Sequence, residues 1–104
     1  MRHTHYTLDA AGQPIPCDDV LVWARWFGGR HNRQLRSTYV GEGPAKVHVS
    51  TVFLGLDHNF DDKGPPVLWE TMIFGGPHDG YQDRYSSRED ALAGHDKALA
   101  LART

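Results

Sequence analysis

Hydrophobic residues are concentrated in two runs near the middle of the chain, separated by an acidic loop rich in glycine and proline. The first run, Val47–Asp57, carries apolar side chains at both odd and even positions, which favours a strand inside a sheet with at least one side covered by a helix. The second run, Val67–Phe74, follows two prolines that cannot donate hydrogen bonds to a neighbouring strand. We therefore predict that the two runs are antiparallel neighbours at the centre of a sheet.

Two segments have the hydrophobic period of a helix. In Asp18–Phe27, four apolar residues recur at helical spacing and form one stripe: Val20, Trp23, Ala24 and Phe27. The second segment, Ser87–Arg103, follows a capping-box pattern and carries a longer apolar stripe that only His95 interrupts. Because each helix has a single apolar stripe, each is expected to bury that stripe against the sheet.

Together these elements predict one α+β domain over residues 1–104, with an antiparallel sheet of three to five strands and both helices packed on one face. Further short strands are expected at His3–Leu8, Leu35–Gly41 and Tyr81–Tyr85. Gly94 lies inside the second helix, where glycine costs about 1 kcal/mol relative to alanine. That cost suggests that a strand approaches the helix closely at this position.

The composition is that of an ordinary soluble protein, with 39% hydrophobic and 23% charged residues and a formal net charge of −2. This charge gives no bias towards nucleic acid or an anionic membrane, so neither is an expected partner. The single cysteine, Cys17, excludes an intramolecular disulfide and fits a reducing compartment. No stretch is typical of a signal peptide or approaches the ~20 apolar residues of a membrane span. We expect a cytoplasmic protein.

Four polar residues in or beside the central elements form a candidate cluster: Asp57, His58, Glu70 and His95. A symmetrical hairpin would place Leu54 opposite Glu70 and bring Asp57 within roughly 10 Å of that carboxylate. Such a group could hold a divalent metal or perform acid–base chemistry. A structural role, in which Asp57 caps the turn and Glu70 accepts hydrogen bonds from loop amides, is the interpretation we favour. In either case the Glu70 carboxylate is expected to be at least partly buried and hydrogen-bonded.

Two other groups of residues are candidates for binding. No acidic residue occurs between Asp19 and Glu42, and the arginines there include three candidates for anion binding: Arg30, Arg33 and Arg36. A solvated loop and strand edge is the favoured alternative, since no glycine-rich phosphate loop accompanies them. Trp26 lies off the apolar stripe of the first helix, and we therefore predict that it contributes to a contact surface, including that of a homodimer.

The chain resembles a family of small uncharacterised proteins encoded by bacteriophages and prophages. The resemblance rests on the stretches STVFLGLDH, ETMIFGG and RYSSREDALAGH together with the tryptophan-containing helix, and it covers nearly the whole chain. It implies a phage-derived accessory protein acting in a bacterial cytoplasm. It implies no reaction and assigns no catalytic residue.

No motif typical of a nucleotide-binding, dinucleotide-binding, serine hydrolase or zinc protease site is present in the sequence. The seven histidines and one cysteine also lack the spacing of a structural zinc site, so no metal or other cofactor is expected. The leading hypothesis is a non-enzymatic accessory protein that binds a host macromolecule or assembles with itself. The alternative is a small metal-assisted hydrolase or a protein that binds a phosphorylated small ligand.

Overall fold

The computed structural model of the protein describes residues 2–61 and 63–104, and at residue 30 it describes the backbone but not the side chain. In this part of the chain the strands and helices are β1 (Tyr6–Leu8), β2 (Pro14–Pro16), α1 (Val20–Phe27), β3 (Gln34–Val40), β4 (Val47–Phe53), β5 (Trp69–Phe74), β6 (Gln82–Tyr85) and α2 (Arg88–Ala102). Short 3-10 turns at Arg30–Asn32 and Gly43–Ala45 precede β3 and β4.

The strands form two antiparallel sheets. β1 and β2 make a small hairpin, and β3 to β6 form a four-stranded sheet in chain order. A bridge between His5 and Leu56 ties the hairpin to the chain just after β4. This is the predicted α+β fold, and β4 and β5 are the central antiparallel pair that the two hydrophobic runs indicated.

Both central strands are shorter than the apolar runs that predicted them. β4 ends at Phe53, and Gly55 two residues later has a φ of 73°, a left-handed conformation that glycine adopts without steric cost. β5 begins at Trp69, after Pro65 and Pro66, whose nitrogens cannot donate to a strand ladder. Glycine and proline therefore set the ends of the strands.

The register of the central pair differs from the symmetrical hairpin that the sequence suggested. Glu70 pairs with Val52, not with Leu54, so the expected register is wrong by two residues. The reason lies in the connecting loop, which is not symmetrical. The carboxylate of Asp57 accepts a hydrogen bond from the backbone amide of Val67 at 2.9 Å and fixes how the chain enters β5.

α2 covers one face of the four-stranded sheet. Along β4, buried residues alternate with half-buried ones, and the buried set points towards the helix: Val47, Val49, Thr51 and Phe53. From α2, Ala91 and Ala98 are fully buried in the same core. The other face of the sheet carries the half-buried residues of β4, so β4 has one buried side and not two.

α1 lies at one end of the same face. It begins at Val20 because Asp19 is its N-cap, with a carboxylate that accepts from the backbone amides of Leu21 and Val22 at 3.1 and 3.2 Å. Its Trp26 ring packs edge-on against Phe53, with ring centroids 5.8 Å apart. Both helices therefore pack against one face of the sheet, as predicted.

α2 begins at Arg88, and Ser87 caps it by accepting from the amide of Asp90 at 3.0 Å. The capping-box pattern Ser86-Ser87-Arg88-Glu89 in the sequence indicated Ser86 as the cap, and the cap is one residue further along the chain. Gly94 is fully buried beside the ring of Tyr85 in β6, as its predicted close approach requires. Neither helix of the described residues is long and apolar enough to cross a lipid bilayer.

Candidate functional site

The four residues of the candidate polar cluster lie in three separate places. Asp57 and His58 belong to the loop after β4. Glu70 points away from α2, on the open face of the sheet, whereas His95 is buried between the sheet and α2. The structure brings together only the two residues that are adjacent in sequence. The four residues do not form the expected cluster, because Glu70 and His95 lie on opposite sides of the sheet.

Asp57 organises the loop between β4 and β5. One carboxylate oxygen accepts from Arg2 Nε at 2.7 Å, and the other accepts from the backbone amides of Asn59 and Val67 at 2.8 and 2.9 Å. Its side chain is only 3% exposed. Burial favours a higher pKa for Asp57, but these hydrogen bonds and the charge of Arg2 outweigh burial and lower the pKa below its usual value. Asp57 is therefore a buried carboxylate that holds the loop.

Glu70 is partly buried and hydrogen-bonded, as predicted. Its side chain is 13% exposed, and it accepts from Gln82 and, at 2.9 Å, from Arg84 Nε, both in the neighbouring strand β6. The loop amides expected as donors to Glu70 are wrong, because the donors are side chains of the neighbouring strand β6. His58, the remaining member of the group, binds its own loop: its Nδ1 lies 2.8 Å from the carbonyl oxygen of Leu56.

His95 is fully buried in a chain of side-chain hydrogen bonds that crosses the core. Its Nε2 lies 2.9 Å from the Thr38 hydroxyl and its Nδ1 lies 2.7 Å from the Thr51 hydroxyl. Thr51 in turn lies 2.6 Å from the hydroxyl of Thr71. A neutral imidazole satisfies both contacts of His95, since one ring nitrogen donates and the other accepts. Thr51 and Thr71 are fully buried in β4 and β5, and Thr38 is half-buried in β3.

Burial, reinforced by the nearby positive charge of Arg36, lowers the pKa of His95 below its ordinary value of 6.5. Unfolded chains therefore bind more protons than folded ones below pH 6.5, and stability should fall as pH drops from 6.5 towards the lowered pKa. An NMR titration should show that the His95 ring of the folded protein takes up its proton only below pH 6.5. Protonation of folded His95 at or above pH 6.5 would contradict the buried network.

The candidate arginines do not form an anion site in the described residues. Arg33 lies over the ring of Phe27, 4.0 Å from its centroid, and its Nε donates to the Phe27 carbonyl oxygen at 3.2 Å. Arg36 faces Asp96 of α2 at 3.5 Å. The side chain of Arg30 lies outside the described part of the chain. Arg33 therefore stabilises the end of α1, and Arg36 bridges β3 and α2.

The aromatic residues of α1 face the rest of the protein, and this corrects the predicted stripe. Trp23 donates through Nε1 to the Gly55 carbonyl oxygen at 3.0 Å and stacks on Phe27, while Trp26 packs against the core. The expectation that Trp26 lies off the inward side is wrong. Three large rings bury more apolar area than a valine and an alanine, so the helix turns its aromatic side inward.

This orientation leaves an apolar surface on the outer side of α1, which we call the α1 surface. Its residues are Val20, Leu21, Val22, Ala24 and Arg25, all of them exposed. Val20, Leu21 and Val22 are 55%, 78% and 52% exposed, and no residue of the helix is fully buried. The signal in the sequence was the run VLV, because consecutive helix residues cannot all face one core.

A row of rings crosses the open face of the sheet at its other end. His48 stacks between Tyr39 and Phe74, with ring centroids 4.4 and 5.7 Å apart. The ammonium of Lys46 lies over the Tyr39 ring, 4.5 Å from its centroid. One ring of the row, Tyr39, therefore contacts both His48 and the Lys46 ammonium. These side-chain contacts join β3, β4 and β5 on the open face of the sheet.

An open groove of about 530 Å³ lies between β6 and α2. Charges of both signs line it, from Asp83, Asp90, Arg84 and Lys97, so it has no preference for anions or cations. Tyr85 borders the groove, and burial together with the charge of Asp83 raises the pKa of its hydroxyl to about 12. A phenol with that pKa stays protonated at neutral pH and is a poor general base.

Within residues 2–61 and 63–104, no group of three or more histidine, cysteine, aspartate or glutamate side chains is arranged to hold a metal ion. No family model, curated protein or solved structure matches the chain. Within the described residues, the α1 surface places three consecutive exposed apolar side chains together on one helix.

Proposed function

We propose that this protein acts by binding another protein chain and not by catalysis, and that the α1 surface is its contact site. The observation that carries the proposal is the exposure of Val20, Leu21 and Val22 in a helix that buries no residue completely. Together these side chains present on the order of 300 Å² of apolar surface, the size of the largest patch on a typical monomer.

The fold does not account for these three residues. Exposed side chains contribute little to the core, and valine is a poorer helix former than arginine, lysine, glutamine or glutamate. An isolated helix of eight residues is unstable in water, so α1 depends on the packing of Trp23, Trp26 and Phe27 on its other side. A partner that covers the outer side would gain the free energy of burying Val20, Leu21 and Val22.

The buried candidate residues favour binding over catalysis. Asp57 and His95 are buried in hydrogen bonds that serve the loop and the core, which leaves neither free to act on a substrate. No observation favours a metal-assisted hydrolase or a phosphate-binding protein. From the resemblance to phage- and prophage-encoded proteins, we propose that this accessory protein binds its partner inside a bacterial host.

Capture of proteins from a bacterial lysate by the immobilised wild type and two immobilised variants tests the proposal. Leu21→Asp should lose the proteins that the wild type retains, because a carboxylate in the middle of an apolar contact is costly to desolvate. Phe60→Asp is the matched control, since Phe60 is another exposed apolar residue, 85% exposed, in the loop before β5. Both variants should fold with stability within about 0.5 kcal/mol of the wild type. Retention of the same proteins by Leu21→Asp would contradict the proposal.

A further inference from the structure

We infer that the α1 surface binds the same surface of a second copy of this chain, with the two helices antiparallel about a two-fold axis near Leu21. The inference rests on the proposed function and names the partner of that site. It differs from a dimer built around Trp26, because Trp26 packs against Phe53 inside its own chain.

Opposite charges flank the α1 surface at its two ends. Asp18, just before the helix, has a side chain that is 72% exposed, and Arg25 is exposed in the last turn. His3 contacts only one oxygen of the Asp18 carboxylate, at 3.0 Å. Arg25 makes no ion pair or side-chain hydrogen bond with any other described residue. Both charges are therefore available to a partner.

An antiparallel arrangement matches these charges in both directions. Arg25 of each copy would lie beside Asp18 of the other, and the two helix dipoles would oppose each other favourably. A parallel arrangement would instead bring like charges together. Leu21 and Val22 lie midway between Asp18 and Arg25 in the sequence, so a two-fold axis there places apolar surface against apolar surface.

This self-complementarity is the reason for choosing a second copy as the partner. An isologous contact needs only one surface, provided that rotation by 180° brings its apolar centre onto itself and its acidic end onto its basic end. The α1 surface meets both conditions. The area is small, however, because specific interfaces bury at least about 1,200 Å² and this helix is short. We therefore expect a weak dimer with a dissociation constant on the order of 10–100 μM.

Charge-reversal variants test this geometry in solution. Sedimentation of the wild type between about 1 μM and 1 mM, a range that brackets the expected affinity, should show the mass rising from the 11.7 kDa of one chain towards twice that value. Asp18→Arg and Arg25→Asp should each weaken the dimer by about tenfold or more, because each creates two like-charge contacts per dimer. An equimolar mixture of the two variants should restore dimerisation, since both contacts are then complementary again.

Lys97→Asp is the matched control, because it reverses an exposed charge on α2 and should leave the dimer unchanged. A wild-type mass of 11.7 kDa at every concentration would overturn the inference. So would a mixture of the two charge variants that stays monomeric, or a dimer that Leu21→Asp leaves intact. The proposed function fails by a different result, retention of the same lysate proteins by Leu21→Asp. If the protein is monomeric and Leu21→Asp loses the lysate proteins, this inference is overturned and the proposed function stands.

Discussion

Replacing Asp57 with alanine should lower the free energy of unfolding by about 3–5 kcal/mol, because it removes one partner of a buried ion pair. The side chain is 3% exposed, and its two oxygens accept from Arg2, Asn59 and Val67. Without the carboxylate, Nε of Arg2 and the two backbone amides lose the acceptor that Asp57 provides, in a region that water reaches poorly. Urea-induced unfolding of the variant and the wild type measures the difference.

Two matched variants separate burial of the carboxylate from charge alone. Asp61→Ala removes an exposed carboxylate from the same loop and should change stability by less than about 0.5 kcal/mol. Glu70→Ala should have an intermediate effect of about 1 kcal/mol, because its partner Arg84 is 42% exposed and water screens the pair. Equal losses for all three variants would show that Asp57 is not the organiser of the loop.

The pH dependence of stability gives a second view of Asp57. Because the folded pKa is lowered, the unfolded chain takes up protons first as the solution becomes acidic. The stabilisation from Asp57 is fully present above the unfolded value of 3.8 and is lost as pH falls through the lowered folded value. This loss occurs at lower pH than the loss from His95, which begins near pH 6.5.

Gly94→Ala should also be destabilising, by about 2 kcal/mol, although alanine is the better helix former. A Cβ at residue 94 would lie 2.1 Å from both Cζ and Oη of Tyr85, a distance that requires the ring to move. The displaced hydroxyl would also give up its bond to Asp83, 3.3 Å away. Thermal or urea unfolding of the single variant measures the net effect.

A double-mutant cycle with Tyr85→Ala isolates the steric cause. Once the ring is absent, Gly94→Ala meets no obstacle, and it should then stabilise the protein by about 1 kcal/mol through helix propensity. The change of sign is the result expected from a clash. A loss of the same size in both backgrounds would mean that the ring of Tyr85 is not what requires glycine at residue 94.

The elements and the central pairing could be predicted from the sequence. Two apolar runs and the prolines between them indicated the central strands, and the helical period indicated both helices, because these signals depend only on neighbouring residues. It also indicated the close approach at Gly94 and the hydrogen-bonded state of Glu70. Each of these two predictions comes from a residue that is unfavourable in its own element: a glycine inside a helix and a carboxylate inside an apolar strand.

The register and the grouping of polar residues were decided by tertiary structure. The contacts of Asp57 with Arg2 and Val67 join residues far apart in the chain, and they fix the loop in a way that no local pattern encodes. Which face of the sheet Glu70 and His95 occupy likewise depends on where α2 packs. Residues close in the sequence were therefore grouped correctly, and residues from different elements were not.

The orientation of α1 is the clearest case. The period of the sequence allows a stripe through Val20 and Ala24 or one through Trp23 and Trp26, because a short, strongly apolar helix has hydrophobic residues on most sides. The folded chain buries the stripe through Trp23 and Trp26. The reason is that Phe53, Gly55 and Arg33 contact the aromatic rings of α1. An apolar α1 could be predicted from the sequence. Packing in the folded chain sets which side of the helix is buried and which side stays exposed.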